Sequence, residues 1–189
     1  HEGEEEAVLE AFALLRQTRD DTLLVLVPRH PERFGKVEQL ARKQGWSVAR
    51  HSDQPADART LAVYLGDTMG ELPSMYAGAD VAFVGGSLVP VGGHNMLEPA
   101  ALGIPILFGP HLHNFADIAA ALGEVGAAFV VRSPAELADT TSALLQDANR
   151  RHACGVLGKE FVDHNRGALA RTVTLLSQRL APATMSDIR

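Results

Sequence analysis

Only one cysteine occurs in the 189 residues, Cys154, so the chain cannot close a disulfide on itself, and a reducing compartment is the default expectation. Alone in a helical stretch, that thiol reads as a small apolar filler and not as a nucleophile. Long apolar runs are lacking: none approaches the roughly 18–20 residues that cross a bilayer, and no leader-like segment is legible at the start. The chain itself is therefore expected to be soluble. Surplus positive charge is lacking as well. Lys and Arg total 17 against 23 Asp and Glu, a formal net charge of −6, whereas general binding to nucleic acid needs a basic surface. A single nucleotide is less demanding, because one or two cations and a few helix-end amides can hold it. No Walker A loop and no complete dinucleotide fingerprint occurs. No Gly-x-Ser-x-Gly elbow supplies a hydrolase nucleophile.

What remains is a globular balance of 46% hydrophobic and 21% charged residues, enough for one domain with its own core. The first residues are acidic (Glu2, Glu4, Glu5, Glu6) and enter a helix over 4–18, where the dipole favours negative charge in the first turn. A helix with no strand ahead of it leads us to expect an upstream strand and a further domain. Apolar runs then alternate with helical patterns. Strands are expected at 22–27, 46–49, 61–65, 81–84, 105–108 and 127–131, and helices up to 43 and over 70–76, 95–102, 114–122 and 134–146. Ser133-Pro134 is an N-cap and first-turn pair. One or two further helices are expected over 149–180, so that residues 1–180 form the domain and 181–189 a tail. Continuous apolar strands alternating with helices predict an α/β fold, a Rossmann-like parallel sheet covered by helices on both faces. Ligands of such folds bind where strands end and helices begin. The loops with unusual chemistry, 28–31, 66–71, 85–95 and 109–114, all lie there.

The richest of them runs from Gly85 to Pro99. Gly85-Gly86 and Gly92-Gly93 let backbone approach a ligand, and the second pair precedes a helix start that could seat an anion. Ser87, His94 and Asn95 lie in the same stretch, and Glu98 could accept from two ribose hydroxyls. The plain alternative is a tight turn in which Asn95 and Glu98 form a capping pair. Arg29 offers a fork of donors to a phosphate or carboxylate, with His30 beside it, or else it pairs with Glu32 on the surface. Met69, Gly70 and Glu71 could present amides to a base or ribose, or Thr68 and Asp67 could cap a helix there. His1 and Glu2, and Asn114 beyond the 105–108 strand, are candidates to face a sugar. His111 and His113 lack the carboxylates or thiols that would complete a metal set. His51, His152 and His164 read as solvated or packed.

These segments resemble the 3-deoxy-D-manno-octulosonic acid (Kdo) transferases. The resemblance lies in His-Glu-Gly-Glu-Glu (1–5), Pro-Arg-His-Pro-Glu-Arg-Phe (28–34), Gly-Asp-Thr-Met-Gly-Glu-Leu (66–72) and Phe-Val-Gly-Gly-Ser-Leu-Val (83–89). Gly-Gly-His-Asn-x-Leu-Glu-Pro-Ala-Ala-x-Gly-Ile-Pro (92–105) and Phe-Gly-Pro-His-x-x-Asn-Phe (108–115) complete it. It spans about residues 1–130 in order. It implies the carboxyl-terminal half of a GT-B enzyme, two Rossmann-like domains facing a cleft, with the donor CMP-Kdo on this half. Arg29, His30, Met69-Gly70-Glu71, Gly86-Ser87, Gly93-His94, Asn95 and Glu98 would hold the donor. The acceptor, a lipid A precursor, the catalytic base and the membrane anchor would belong to the other half, so this chain alone is expected to be inactive. Inversion without a required metal, and a parent protein on the cytoplasmic face of the bacterial inner membrane, are implied likewise. Another GT-B enzyme using a UDP-sugar, or a non-catalytic nucleotide-binding module, would share many of these features.

Overall fold

The computed structural model describes residues 1–55 and 60–167; the helix and tail expected beyond 167 lie outside them. Six parallel strands and seven helices are present among those residues. In chain order they are α1 (Glu4–Arg16), β1 (Leu24–Leu26), α2 (Phe34–Lys43), β2 (Val48–Arg50), β3 (Val63–Leu65), α3 (Leu72–Ala77) and β4 (Ala82–Val84). Then come α4 (Leu97–Ala101), β5 (Ile106–Phe108), α5 (Ala116–Glu124), β6 (Ala128–Val130), α6 (Pro134–Gln146) and α7 (Ala148–Asn165). Single 3-10 turns open onto α2 and follow β2. Every apolar run predicted as a strand overlaps one, β2 extending one residue past the expected 46–49.

The expected single sheet is two three-stranded ladders, ordered β1-β3-β2 and β4-β5-β6. Val63 pairs with both Leu24 and Val48, and Ile106 with both Ala82 and Ala128. Side-chain packing through α1 joins the two. Leu9 and Phe12 of α1 enter the core of the first ladder with Val37, Ala41, Val63 and Leu65. Ala11 and Leu15, on another side of the same helix, enter a core with Leu107, Val131, Leu137 and Leu144. Residues four apart share a helix face, so a 13-residue helix can serve both partners.

The second ladder is sandwiched. Val84, Ile106, Phe108 and Ala128 face α4, α5 and Val162 of α7, while Phe83, Leu107 and Phe129 face α1, α6 and Cys154. Alternation puts neighbouring residues of one strand on opposite faces, and both faces being covered explains the unbroken apolar runs. The first ladder is thinner: α1 and α2 cover one face, whereas Val25 is 37% exposed on the other. Cys154 is buried among apolar neighbours and burial pushes its thiol up, which suits the filler role. Ser133 accepts from the Glu136 amide as the predicted N-cap, and Asp147 caps α7 in the same way.

Candidate functional site

Four loops leave carboxyl ends of strands, and contacts between them bring the ladders' ends together. The loop after β4 is organised from inside. Glu4, only 4% exposed, turns its carboxylate under that loop and accepts from the amides of Gly86 at 2.6 Å, Ser87 at 2.9 Å and Leu88 at 2.9 Å. Successive amides turned to one point form an anion cradle, and here a side chain of the protein fills it. Ser87 is fully buried; its hydroxyl donates to the Val84 carbonyl at 2.6 Å and accepts from the Gly109 amide at 2.8 Å. The Gly86 carbonyl receives the amides of Gly92 and Gly93. At Gly86 and Ser87, both expected to contact the donor, the amides and the serine hydroxyl are engaged internally, by Glu4, the Val84 carbonyl and the Gly109 amide. Gly109 must be glycine, since a Cβ there would collide with the Ser87 backbone.

The rim is different. Arg29, exposed after β1, reaches across to the loop after β4, and its Nη1 lies 2.9 Å from Nδ1 of His94. Among the described residues its guanidinium contacts no carboxylate, so the surface pair with Glu32 does not form; His30 is the residue facing Glu32, at 3.9 Å. The other ring nitrogen of His94 lies 2.9 Å from Nε2 of His1, and the two rings stack 5.1 Å apart. The His30 ring meets the His1 ring edge-on at 5.9 Å. One arginine and three histidines from three segments thus share a rim, and burial, then Arg29, hold the His94 midpoint below its usual value. Glu2 turns away to Arg33, 3.6 Å distant. Arg33 in turn forks onto Glu5 at 2.8 and 3.1 Å.

Asn95 and Glu98 stand beside this rim. The Asn95 side-chain amide donates to Glu98 at 3.0 Å, and its carbonyl accepts from the Leu97 amide at 3.1 Å. Asn95 thus satisfies the first helical amide from outside the helix, and Glu98 is bonded to the Asn95 side chain and not to backbone. The helix that follows is shorter than the expected 95–102, five residues, because Asn95, Met96 and Leu102 lie outside it. One Glu98 oxygen keeps no protein partner among the described residues. Tyr76 is pushed up to about 12 by burial and by the Glu98 charge. After β3, Met69 is 70% exposed and Gly70 takes a positive φ of 85°. Glu71 meets His51 at 3.1 Å. Asn114 donates its amide to the Gly92 carbonyl, which fixes it near the same loop.

Two features escaped the sequence. Glu4 reads there as one more acid in a first turn, though the amides of Gly86 and Ser87 needed an acceptor. His51, expected to be solvated or packed, links Tyr64 at 2.6 Å to Glu71. Among the described residues no group of three or more His, Cys, Asp or Glu is arranged to hold a metal, and no helix is long and apolar enough to cross a membrane. Surface hollows lie between α1 and α6 and between α1 and α2; charged side chains of Glu2, Glu6, Arg33, Lys36 and Lys43 line the second, and none of the four rim residues lines either.

Parallel α/β layers with polar loops converging at the strands' carboxyl ends define a nucleotide-binding type of domain. The chain belongs to the glycosyl transferases group 1 family, which matches residues 5–161. It is similar to the 3-deoxy-D-manno-octulosonic acid transferase of Haemophilus influenzae, 43% identical over 95% of this chain and 42% of that protein. The transferase of the same description from Bordetella pertussis is 37% identical over 95% of this chain and 43% of its own length. The chain therefore spans less than half of these relatives. Among solved structures, it is similar to the C-terminal CMP-Kdo binding domain of WaaA from Acinetobacter baumannii, with a TM-score of 0.80 and 34% identity, covering 85% of this chain and 83% of that one. The resemblance read from the motifs thus holds across nearly the whole chain.

Proposed function

We propose that this chain is the donor-binding domain of a glycosyltransferase that moves Kdo from CMP-Kdo to a lipid A precursor in lipopolysaccharide biosynthesis. The observation that carries the reading is the rim: Arg29, His1, His30 and His94, drawn from separate segments, stand at the strand ends beside Asn95 and Glu98. The donor is anionic, with a phosphodiester and a sugar carboxylate. Arg29 meets one of these groups with a fork of donors. Charge develops on the departing CMP phosphate during transfer, and a cation already in place stabilises it without reorganising. No metal is needed in this scheme. Glu98, half-buried and carrying one unengaged oxygen, accepts from the ribose, while the Met69-Gly70-Glu71 turn borders the base.

The base that deprotonates the acceptor hydroxyl, the lipid-binding surface and any membrane attachment on the cytoplasmic face belong to the other half of the parent enzyme, so the isolated chain binds donor and transfers nothing. Calorimetric titration with CMP, UMP and UDP tests the reading. Tighter binding of CMP than of either comparator is expected. Preference for UDP would assign the domain to a UDP-sugar enzyme instead. Sugar transfer by the isolated chain above a control without enzyme would overturn its expected inactivity.

A further inference from the structure

The contact between Arg29 and His94 leaves no choice of proton. A guanidinium has donors only, so the 2.9 Å contact from Nη1 ends on a bare Nδ1 of His94. A neutral imidazole then carries its proton on Nε2, which faces Nε2 of His1 at 2.9 Å. His1 accepts that proton's hydrogen bond and keeps its own proton on Nδ1. A second proton on His94 would sit on Nδ1, pointing at an N–H of Arg29. Burial and charge around the ring act in the same sense: burial, then Arg29 and His30 from beyond β1, oppose protonation, while Glu4 from α1 favours it and is outweighed.

An anion reverses this balance. A phosphate or carboxylate oxygen that engages Arg29 turns the guanidinium away from the ring, cancels its charge, and offers Nδ1 an acceptor. We propose that an anionic ligand group taken by Arg29 is bound together with a proton taken up by His94, so that a guanidinium and an imidazolium hold it jointly. The inference rests on the donor-domain reading. It adds that His94 is a ligand-binding residue whose proton state depends on occupancy. Linkage fixes the sign. A ligand that raises the His94 midpoint binds the protonated form better, so affinity is highest below the free-state midpoint. It falls as pH rises from the free-state to the bound-state midpoint, about tenfold for each unit between them.

The test is titration of the 189-residue chain with the methyl ester of CMP, a phosphodiester whose single charge does not titrate near neutrality, in HEPES and in Tris, which differ in protonation enthalpy. The wild-type chain should show different heats in the two buffers, corresponding to proton uptake, and weaker affinity as pH rises through neutrality. His94→Gln, which keeps a polar side chain but cannot ionise there, should bind with neither uptake nor pH slope, and His152→Gln, exposed on α7, should keep both. Equal heats in the two buffers, with binding intact, overturn the proposal and leave the donor-domain reading standing. Uptake that survives in His94→Gln overturns it too, and absence of binding at every pH contradicts both readings. Nitrogen NMR gives a check without ligand: His94 should carry its proton on Nε2, and Arg29→Gln should raise its midpoint. A proton on Nδ1 of His94 in the free wild-type chain would overturn the proposal.

Discussion

The loop after β4 has two sides, and they treat charge in opposite ways. On the inner side an anion, Glu4, is buried against three amides that it satisfies. On the outer side the cationic Arg29 stands beside three histidines, and its side chain reaches one of their rings with no carboxylate among the described residues to neutralise it. Buried charge is tolerable only when paired and hydrogen-bonded, so Glu4 and its amides are committed to the fold. Exposed charge can stay without a counter-ion because water solvates it, and it remains available to a ligand. Substitutions on the two sides should therefore separate cleanly, inner ones costing stability and outer ones costing affinity.

The largest effect is expected from Glu4→Ala, which strands three amides at the loop. Each buried donor left without a partner costs about 1–3 kcal/mol, and we expect a loss of about 3–5 kcal/mol in urea denaturation. Gly109→Ala should cost about 1–3 kcal/mol as overpacking against the Ser87 backbone. Arg33→Leu removes a partner of buried Glu5. Burial pushes that carboxyl up, but hydrogen bonds, foremost from Arg33, outweigh it and leave the pKa lowered. A carboxyl depressed in the folded state contributes stability above its unfolded value, near 4.5, and loses it as pH falls through the folded value. The variant should therefore lose stability at neutral pH and show a flatter decline in acid, measurable as the denaturation midpoint against pH.

On the outer side, Arg29→Ala should weaken CMP binding by about 1–3 kcal/mol, as a charged hydrogen bond is lost, with the unfolding midpoint almost unmoved. Unchanged affinity would remove Arg29 from the site. Smallest is Glu98→Ala, which should weaken CMP more than 2′-deoxy-CMP. Equal losses would leave Glu98 as only the hydrogen-bond partner of Asn95.

Legibility in the sequence followed the range of the interactions. β5 was readable because Ile106, Leu107 and Phe108 are all buried, and an unbroken apolar run follows from two covered faces. Ser133 was readable as a cap because its partner, the Glu136 amide, is three residues away. Glu4 was not, because its partners lie 82 to 84 residues along the chain. Likewise nothing local foretold that Arg29 would choose His94, 65 residues on, over Glu32 beside it. The division of the sheet was hidden for a related reason: local apolarity identifies strands but does not say which neighbours share a ladder. Glycine spacing located the loop after β4 correctly and assigned its amides to a ligand. It did not reveal that Glu4, far along the chain, accepts from the amides of Gly86, Ser87 and Leu88.

The most direct test of the account is an amide NMR map of the chain with and without CMP. Shifts concentrated at Arg29 and His30, at residues 69–71 and at residues 93–98, with little change along α6, would bear it out. Shifts centred on the hollow between α1 and α6, with the Arg29 rim unmoved, would contradict it.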